Sequence, residues 1–255
     1  MRGSLDHVCG CFPTGRHYPG IADRIARAVE RIEGLCDEFD PAVAWTDLPI
    51  AVVDFETTGR EAGKDRIVEV GIVRFSAGAV RDRHSILVNP GIPIAPDATA
   101  VHGIGDADVA NEPPLEEVLP QVLELLAGHL PVAYNAEFDR TFLHAEFTRC
   151  AARLDTPPNL PPALQAGVVW VDPLVWTREI LRDLTSRSLG DVCTHLGIAL
   201  ERAHRATDDA EATGHVLLRM AEQMPRTYGE LIRLQARYAA RHEAELSAWR
   251  NRRRY

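Results

Sequence analysis

The stretch Ile50 to Phe55 constrains this chain more than any other. It is a short apolar run suited to a buried central strand, and Thr57-Thr58-Gly59 supplies turn chemistry directly after it. At its end stand Asp54 and Glu56. Alternate side chains of a strand share a face, so these two acids point the same way while Phe55 points into the core. Two carboxylates side by side repel each other, and their natural use is to ligate a hard divalent cation through oxygen. A solvated strand end would carry the same residues without any such use, so the pair needs corroboration from elsewhere in the chain.

The rest of the pattern predicts an α/β domain. Ile67 to Phe75 and Val80 to Val88 read as strands joined across Ser76-Ala77-Gly78-Ala79, a hairpin. After the Pro- and Gly-punctuated loop 89–112 come a helix at 115–126, a fourth strand at 131–134 and a helix at 136–152. A fifth strand is expected at Val168 to Val171, followed by helices at 173–181, 189–196 and 207–224. Outside this block, apolar residues at helical spacing from Ile21 to Phe39 predict an amphipathic N-terminal helix, and Leu231, Leu234, Tyr238 and Leu246 predict a C-terminal one. The expected organisation is an N-terminal extension (1–45), a central domain (46–224) and a basic helical tail (225–255).

Composition excludes several classes. With 45% hydrophobic and 25% charged residues over 255 positions, the chain is an ordinary globular protein able to bury a sizeable core. No apolar run approaches the roughly 18 residues of a membrane helix, and five cysteines without CxxC spacing argue against a disulfide framework. Cytoplasm is the expected compartment, with no membrane partner. The net charge of −9 argues against coating nucleic acid by bulk attraction. Residues 226–255, however, carry eight Arg against three Glu. Arg252, Arg253 and Arg254 either solvate a helix end or hold phosphates.

Two further segments corroborate the first pair. In Asn135-Ala136-Glu137-Phe138-Asp139 a strand passes into a helix; Asn135 suits an N-terminal cap, and Asp139 sits at the rim of the buried face formed by Phe142 and Leu143. In His204-Arg205-Ala206-Thr207-Asp208-Asp209-Ala210 a histidine on a loop precedes a helix with two acids in its first turns. Histidine, with an ordinary pKa near 6.5, is the natural group to take a proton from water at neutral pH. Asp208 and Asp209 diverge by about 100° on a helix, so one of them reaches a shared site.

Together, Asp54-Phe55-Glu56-Thr57-Thr58-Gly59, the 135–139 segment and the 204–210 segment resemble the DEDDh exonucleases. They stand in that family's order, and look closest to its proofreading-subunit branch, the epsilon subunit of bacterial replicative DNA polymerase. Weaker matches occur at Asn89-Pro90-Gly91 and Val101-His102-Gly103-Ile104. The resemblance implies an RNase H-like mixed five-stranded sheet flanked by helices, and hydrolysis of single-stranded nucleic acid, DNA favoured, from the 3′ end to nucleoside 5′-monophosphates. It further implies two divalent cations, Mg²⁺ or Mn²⁺, held by Asp54, Glu56, Asp139 and Asp209, with His204 as general base. The family's spacing from His204 selects Asp209 over Asp208. Thr57, Thr58, Asp97, His102 and Asn135 fall at the substrate contacts. Expected partners are the 3′ ends of single-stranded DNA or RNA, and a DNA polymerase if the chain serves as a subunit. Two alternatives stay open: an exoribonuclease of short RNA, and a non-catalytic adaptor that docks a polymerase.

Overall fold

The computed structural model describes residues 33–151, 159–200 and 203–252, all within one compact unit, Glu33–Tyr255. Strands β1 (Ile50–Thr57), β2 (Ile67–Ser76), β3 (Ala79–Leu87) and β4 (Leu130–Val132) form a mixed sheet in the order β3-β2-β1-β4. β1 runs antiparallel to β2 and parallel to β4. The helices are α1 (Pro96–His102), α2 (Asp106–Val109), α3 (Leu115–Leu126), α4 (Glu137–Cys150), α5 (Pro173–Ile180), α6 (Leu189–Leu196), α7 (Ala206–Met220) and α8 (Tyr228–Arg252).

Alternation along β1 divides the core. Ala51, Val53 and Phe55 join Leu119, Val122 and Leu126 of α3 and Phe142 and Leu143 of α4 on one side. Ile50 and Val52 join Val216, Leu217 and Met220 of α7 and Tyr228, Leu231 and Ile232 of α8 on the other. Asp54 and Glu56 continue this second face past the end of the apolar run, which aims them at the N-terminus of α7.

That helix lies hard against the sheet because β2 carries Gly71 beneath it. A Cβ at Gly71 would stand 2.3 Å from the carbonyl carbon of Ala206. Gly71 pairs with Asp54 across the β1–β2 ladder, so the close approach fixes the distance between strand end and helix start. The same ladder skips Val68: Glu56 faces Glu69 and Thr57 faces Ile67, a bulge where the strands open toward the site.

Three expectations change. The fifth strand at Val168 to Val171 is one isolated parallel bridge, Val132 to Val171, so the sheet has four strands among the described residues. β4 ends at Val132, and the apolar run spends its amides on scattered partners: Val169 donates to Gly34, Val171 to Pro131 and Asp172 to the Gln235 side chain. The N-terminal helix falls mostly on residues 1–32, outside those described, and its last part, Leu35, Cys36 and Phe39, lies in non-helical backbone with Cys36 and Phe39 packed into the core. The loop at 89–112 contains two short helices, α1 and α2. The C-terminal helix forms as expected, burying Tyr228, Leu231, Ile232 and Gln235; Arg253 and Arg254 lie outside the described residues. No described helix is long and apolar enough to cross a membrane.

Candidate active site

Three of the four expected acids converge at once. Each of Asp54, Glu56 and Asp209 offers a carboxylate oxygen within 4.8 Å of those of the other two. The fourth, Asp139, is buried in the first turn of α4, and its Oδ1 accepts the Phe55 amide at 3.0 Å, which brings it to the backbone between Asp54 and Glu56. Burial is the main reason all four resist ionisation, and mutual repulsion adds to it. The Asp54 carboxyl is held well above the usual range, first by burial and then by Asp139, Asp209 and Glu56. Glu56 is pushed up to about 7 by burial, with Asp209 and Glu69 adding to the shift. Asp139 and Asp209 are raised too, each chiefly by burial.

This donor set fits a divalent metal ion. It is all oxygen, anionic and crowded, and Asp209 Oδ1 is buried with no hydrogen-bond partner. A hard cation among these oxygens would relieve both the repulsion and the orphaned atom.

His204 stands directly ahead of α7, exposed, in the left-handed region at φ 66°. Its amide donates to Asp209 Oδ2 at 3.1 Å. The loop is anchored by a pair that the three motifs do not announce. Arg205 reaches Glu69, a fully buried acid of β2, through Nε at 3.2 Å and Nη2 at 2.9 Å, while Ser85 Oγ donates to the same carboxylate at 2.7 Å. These donors hold the Glu69 carboxyl below its ordinary range against the opposing effect of burial. The signal in the sequence is a lone acid inside the apolar run Ile67 to Phe75.

A second unforeseen acid, Asp172, supports the other flank. It caps α5 by accepting the Leu174 amide at 2.9 Å, and it also accepts the amides of Asn135 and Ala136 at 3.0 and 3.2 Å. Asp172 followed by Pro173 is a legible helix start. Asn135 itself does not cap α4 with its side chain. The N-cap position is Ala136, and Asn135 takes φ 64°, a left-handed conformation that asparagine tolerates.

Of the remaining expected contacts, Thr57, Thr58 and His102 gather around the end of β1. Thr57 Oγ1 donates to the Gly59 carbonyl, and Thr58 Oγ1 accepts the Arg66 amide at 3.0 Å. His102 is buried; its Nδ1 accepts the Ile104 amide at 3.1 Å and its Nε2 lies 3.2 Å from the Thr57 carbonyl. That arrangement defines a neutral ring with the proton on Nε2, consistent with burial lowering its pKa. Asp97 is exposed in the first turn of α1 and accepts the Ala98 amide.

Comparison with known proteins places this geometry. The profile of the Exonuclease family of RNase T type matches residues 51–217. The PolC-type DNA polymerase III of Thermotoga maritima is 32% identical over 203 residues, covering 78% of this chain and 14% of the polymerase. That of Clostridium perfringens is 34% identical over 166 residues, 65% of this chain and 11% of the polymerase. The matched part is thus a small fraction of the length of these relatives. Among solved structures, exonuclease X in complex with 5′-overhanging duplex DNA is 25% identical with TM-score 0.57, covering 73% of this chain and 99% of that one. The zinc-bound E. coli ExoI–ssDNA complex, 19% identical with TM-score 0.61 over 71% of this chain and 42% of that one, shares the fold. With the family profile spanning well over half the chain and the acids of all three motifs meeting at one strand end, the chain belongs to the DEDDh exonucleases.

Proposed function

We propose that this chain hydrolyses single-stranded nucleic acid from its 3′ end, releasing nucleoside 5′-monophosphates, with DNA favoured over RNA. The observation that carries the reading is the convergence of Asp54, Glu56 and Asp209, with Asp139 bonded to the backbone between the first two. An adaptor has no use for four carboxylates raised by burial and crowding, so catalysis is favoured over docking.

In this reading Asp54, Glu56, Asp139 and Asp209 are the residues that would hold two divalent cations. Two Mg²⁺ or Mn²⁺ ions bound there would supply charge neutralisation and Lewis acidity to the attacking and leaving oxygens of an in-line displacement at phosphorus. His204 takes the proton of the attacking water at an imidazole nitrogen, and the Asp209 carboxylate orients the loop by accepting the His204 amide. Thr57, Thr58 and Asn135 flank the terminal nucleotide. His102 holds the loop that covers it onto the Thr57 carbonyl, with Asp97 at the rim. The preference for DNA rests on the PolC-type relatives and on exonuclease X, and service beside a DNA polymerase rests on the PolC-type relatives alone.

The test is digestion of matched DNA and RNA oligonucleotides, labelled at either the 5′ or the 3′ end, with Mg²⁺ or Mn²⁺ and an EDTA control. A ladder shortening from the 3′ end, faster on DNA and abolished by EDTA, is expected. Intact substrate under every metal would sink the catalytic reading, and faster RNA loss would reverse the preference.

A further inference from the structure

A groove of about 910 Å³ runs between α5, the 181–188 loop and α8, well removed in sequence from the three motifs. Arg178, Arg182, Arg187, Arg241 and Arg252 line it, against the carboxylates of Glu179 and Glu245. Glu179 is nearly buried and already engaged by Arg241 and His242, so the two acids cannot balance five guanidiniums. In a chain whose net charge is −9 this is a local reversal of sign. Trp249, 47% exposed, lies in the same groove.

The groove is built partly on the helix whose cap supports one flank of the carboxylate site. α5 starts at Asp172, whose carboxylate holds the Asn135 and Ala136 amides just ahead of Asp139. Arg178 stands six residues further on, roughly 9 Å along the helix axis at 1.5 Å per residue, and its charge acts on both Asp172 and Tyr134. The Tyr134 hydroxyl in turn donates to the Arg187 carbonyl at 2.8 Å. From Arg241 to Arg252 the wall formed by α8 extends roughly 17 Å, room for about five nucleotides at the 3.4 Å spacing of a stacked strand.

We infer that this groove is a second binding site for the single strand, holding phosphates on the 5′ side of the end being cut, with Trp249 as a stacking surface for a base. The inference rests on the reading of the carboxylate cluster as the site of the 3′ end. Guanidiniums suit phosphate oxygens by geometry and charge, and an exposed indole accepts any base on its face. Placing the indole and two of the guanidiniums on α8, opposite the three arginines of α5 and the 181–188 loop, lets the enzyme retain a long strand between cuts while the acidic catalytic face repels it.

The experiment uses 5′-fluorescent 20-mers of dT and U. Binding is measured by anisotropy in EDTA at several salt concentrations, and turnover is measured with Mn²⁺ on the dT 20-mer and on a trinucleotide too short to reach the groove. The triple variant Arg178→Ala, Arg182→Ala, Arg252→Ala should weaken 20-mer binding about tenfold and flatten the salt slope by about 2, at about 0.7 for each phosphate no longer held. It should raise KM for the 20-mer with kcat held and leave the trinucleotide unaffected. The triple Arg→Lys variant should keep most of the slope, and Trp249→Ala should weaken binding with the slope intact. Equal affinity and slope in wild type and the triple Ala variant overturn the groove even if the enzyme digests DNA. Arginine-dependent binding to phosphatidylserine vesicles without arginine-dependent binding to the oligonucleotides overturns it as well. Arginine-dependent binding by a protein that cuts nothing leaves the groove standing and removes the exonuclease reading instead.

Discussion

Asp208 and Asp209 adjoin in sequence yet face different surroundings. Asp209 meets Asp54 and Glu56 and accepts the His204 amide, whereas Asp208 lines a separate cavity with Arg83, Glu211, His215 and Arg219. Helical geometry together with family spacing makes this choice legible in the sequence alone. Asp209→Ala should therefore reduce kcat by at least about 10³-fold, roughly 4 kcal/mol of lost transition-state stabilisation. Asp208→Ala should stay within about threefold. Steady-state rates on a labelled single strand, with both variants checked for folding by circular dichroism, decide it; equal losses would show that the wrong acid was assigned. What the sequence does not reveal at this scale is how each side chain is held. The Glu69–Arg205 pair, the double use of Asp172 and the neutral tautomer of His102 all depend on packing that the local sequence pattern leaves open.

At the scale of elements, the site is a strand end and a helix start pressed together over Gly71. An added methyl there cannot be absorbed by a flexible side chain, because what it meets is the backbone of Ala206 and Thr207. Gly71→Ala should cost about 1–3 kcal/mol through overpacking. It should lower kcat by about 10²-fold, since a shift of around 1 Å at the N-terminus of α7 moves Asp209 away from Asp54. Thermal unfolding and kcat measured on the same preparation check this: a fall in stability with full activity would mean that the close approach does not set the carboxylate geometry. Most elements are readable, because β1, β2, α3 and α6 combine clear periodicity with clear stop signals. Ser188 caps α6 and Gly197 ends it at φ 65°. The run at 168–171 departs from its expected strand because an apolar run reports burial, and whether it becomes a strand depends on how much of a neighbour it has to pair with. β4 offers three residues before the chain turns at Asn135. The short helices α1 and α2 are hidden among Pro and Gly, where local punctuation masks single turns.

For the whole molecule, the four raised carboxyls make stability depend on pH and metal together. A carboxyl whose folded pKa lies above its unfolded value binds protons more tightly when folded. Its contribution is fully favourable below the unfolded value near 4 and is lost as pH rises through the folded value, which for Glu56 is about 7. Metal-free protein should therefore lose stability between about pH 5 and pH 8. Asp82, held down to about 2 by Arg74, opposes the trend only at lower pH, outside this window. His102 opposes it within the window, since burial lowers its pKa, and comparison with Glu56→Gln removes that background. Mn²⁺ acts from the other direction. At 100 times its dissociation constant it should stabilise by about 2.7 kcal/mol, a rise in Tm of roughly 5–10 °C for a chain of this size. The rise should be larger at pH 8 than at pH 5.5, because protons and metal compete for the same oxygens. Asp54→Asn should abolish most of it while making the metal-free protein more stable at pH 8, since the variant removes one of the mutually repelling charges. Scanning calorimetry of wild type, Glu56→Gln and Asp54→Asn with EDTA or Mn²⁺ at the two pH values tests each part. A metal-induced shift that survives Asp54→Asn unchanged would place the cation elsewhere and dissolve the link between the buried carboxylates and the chemistry assigned to them.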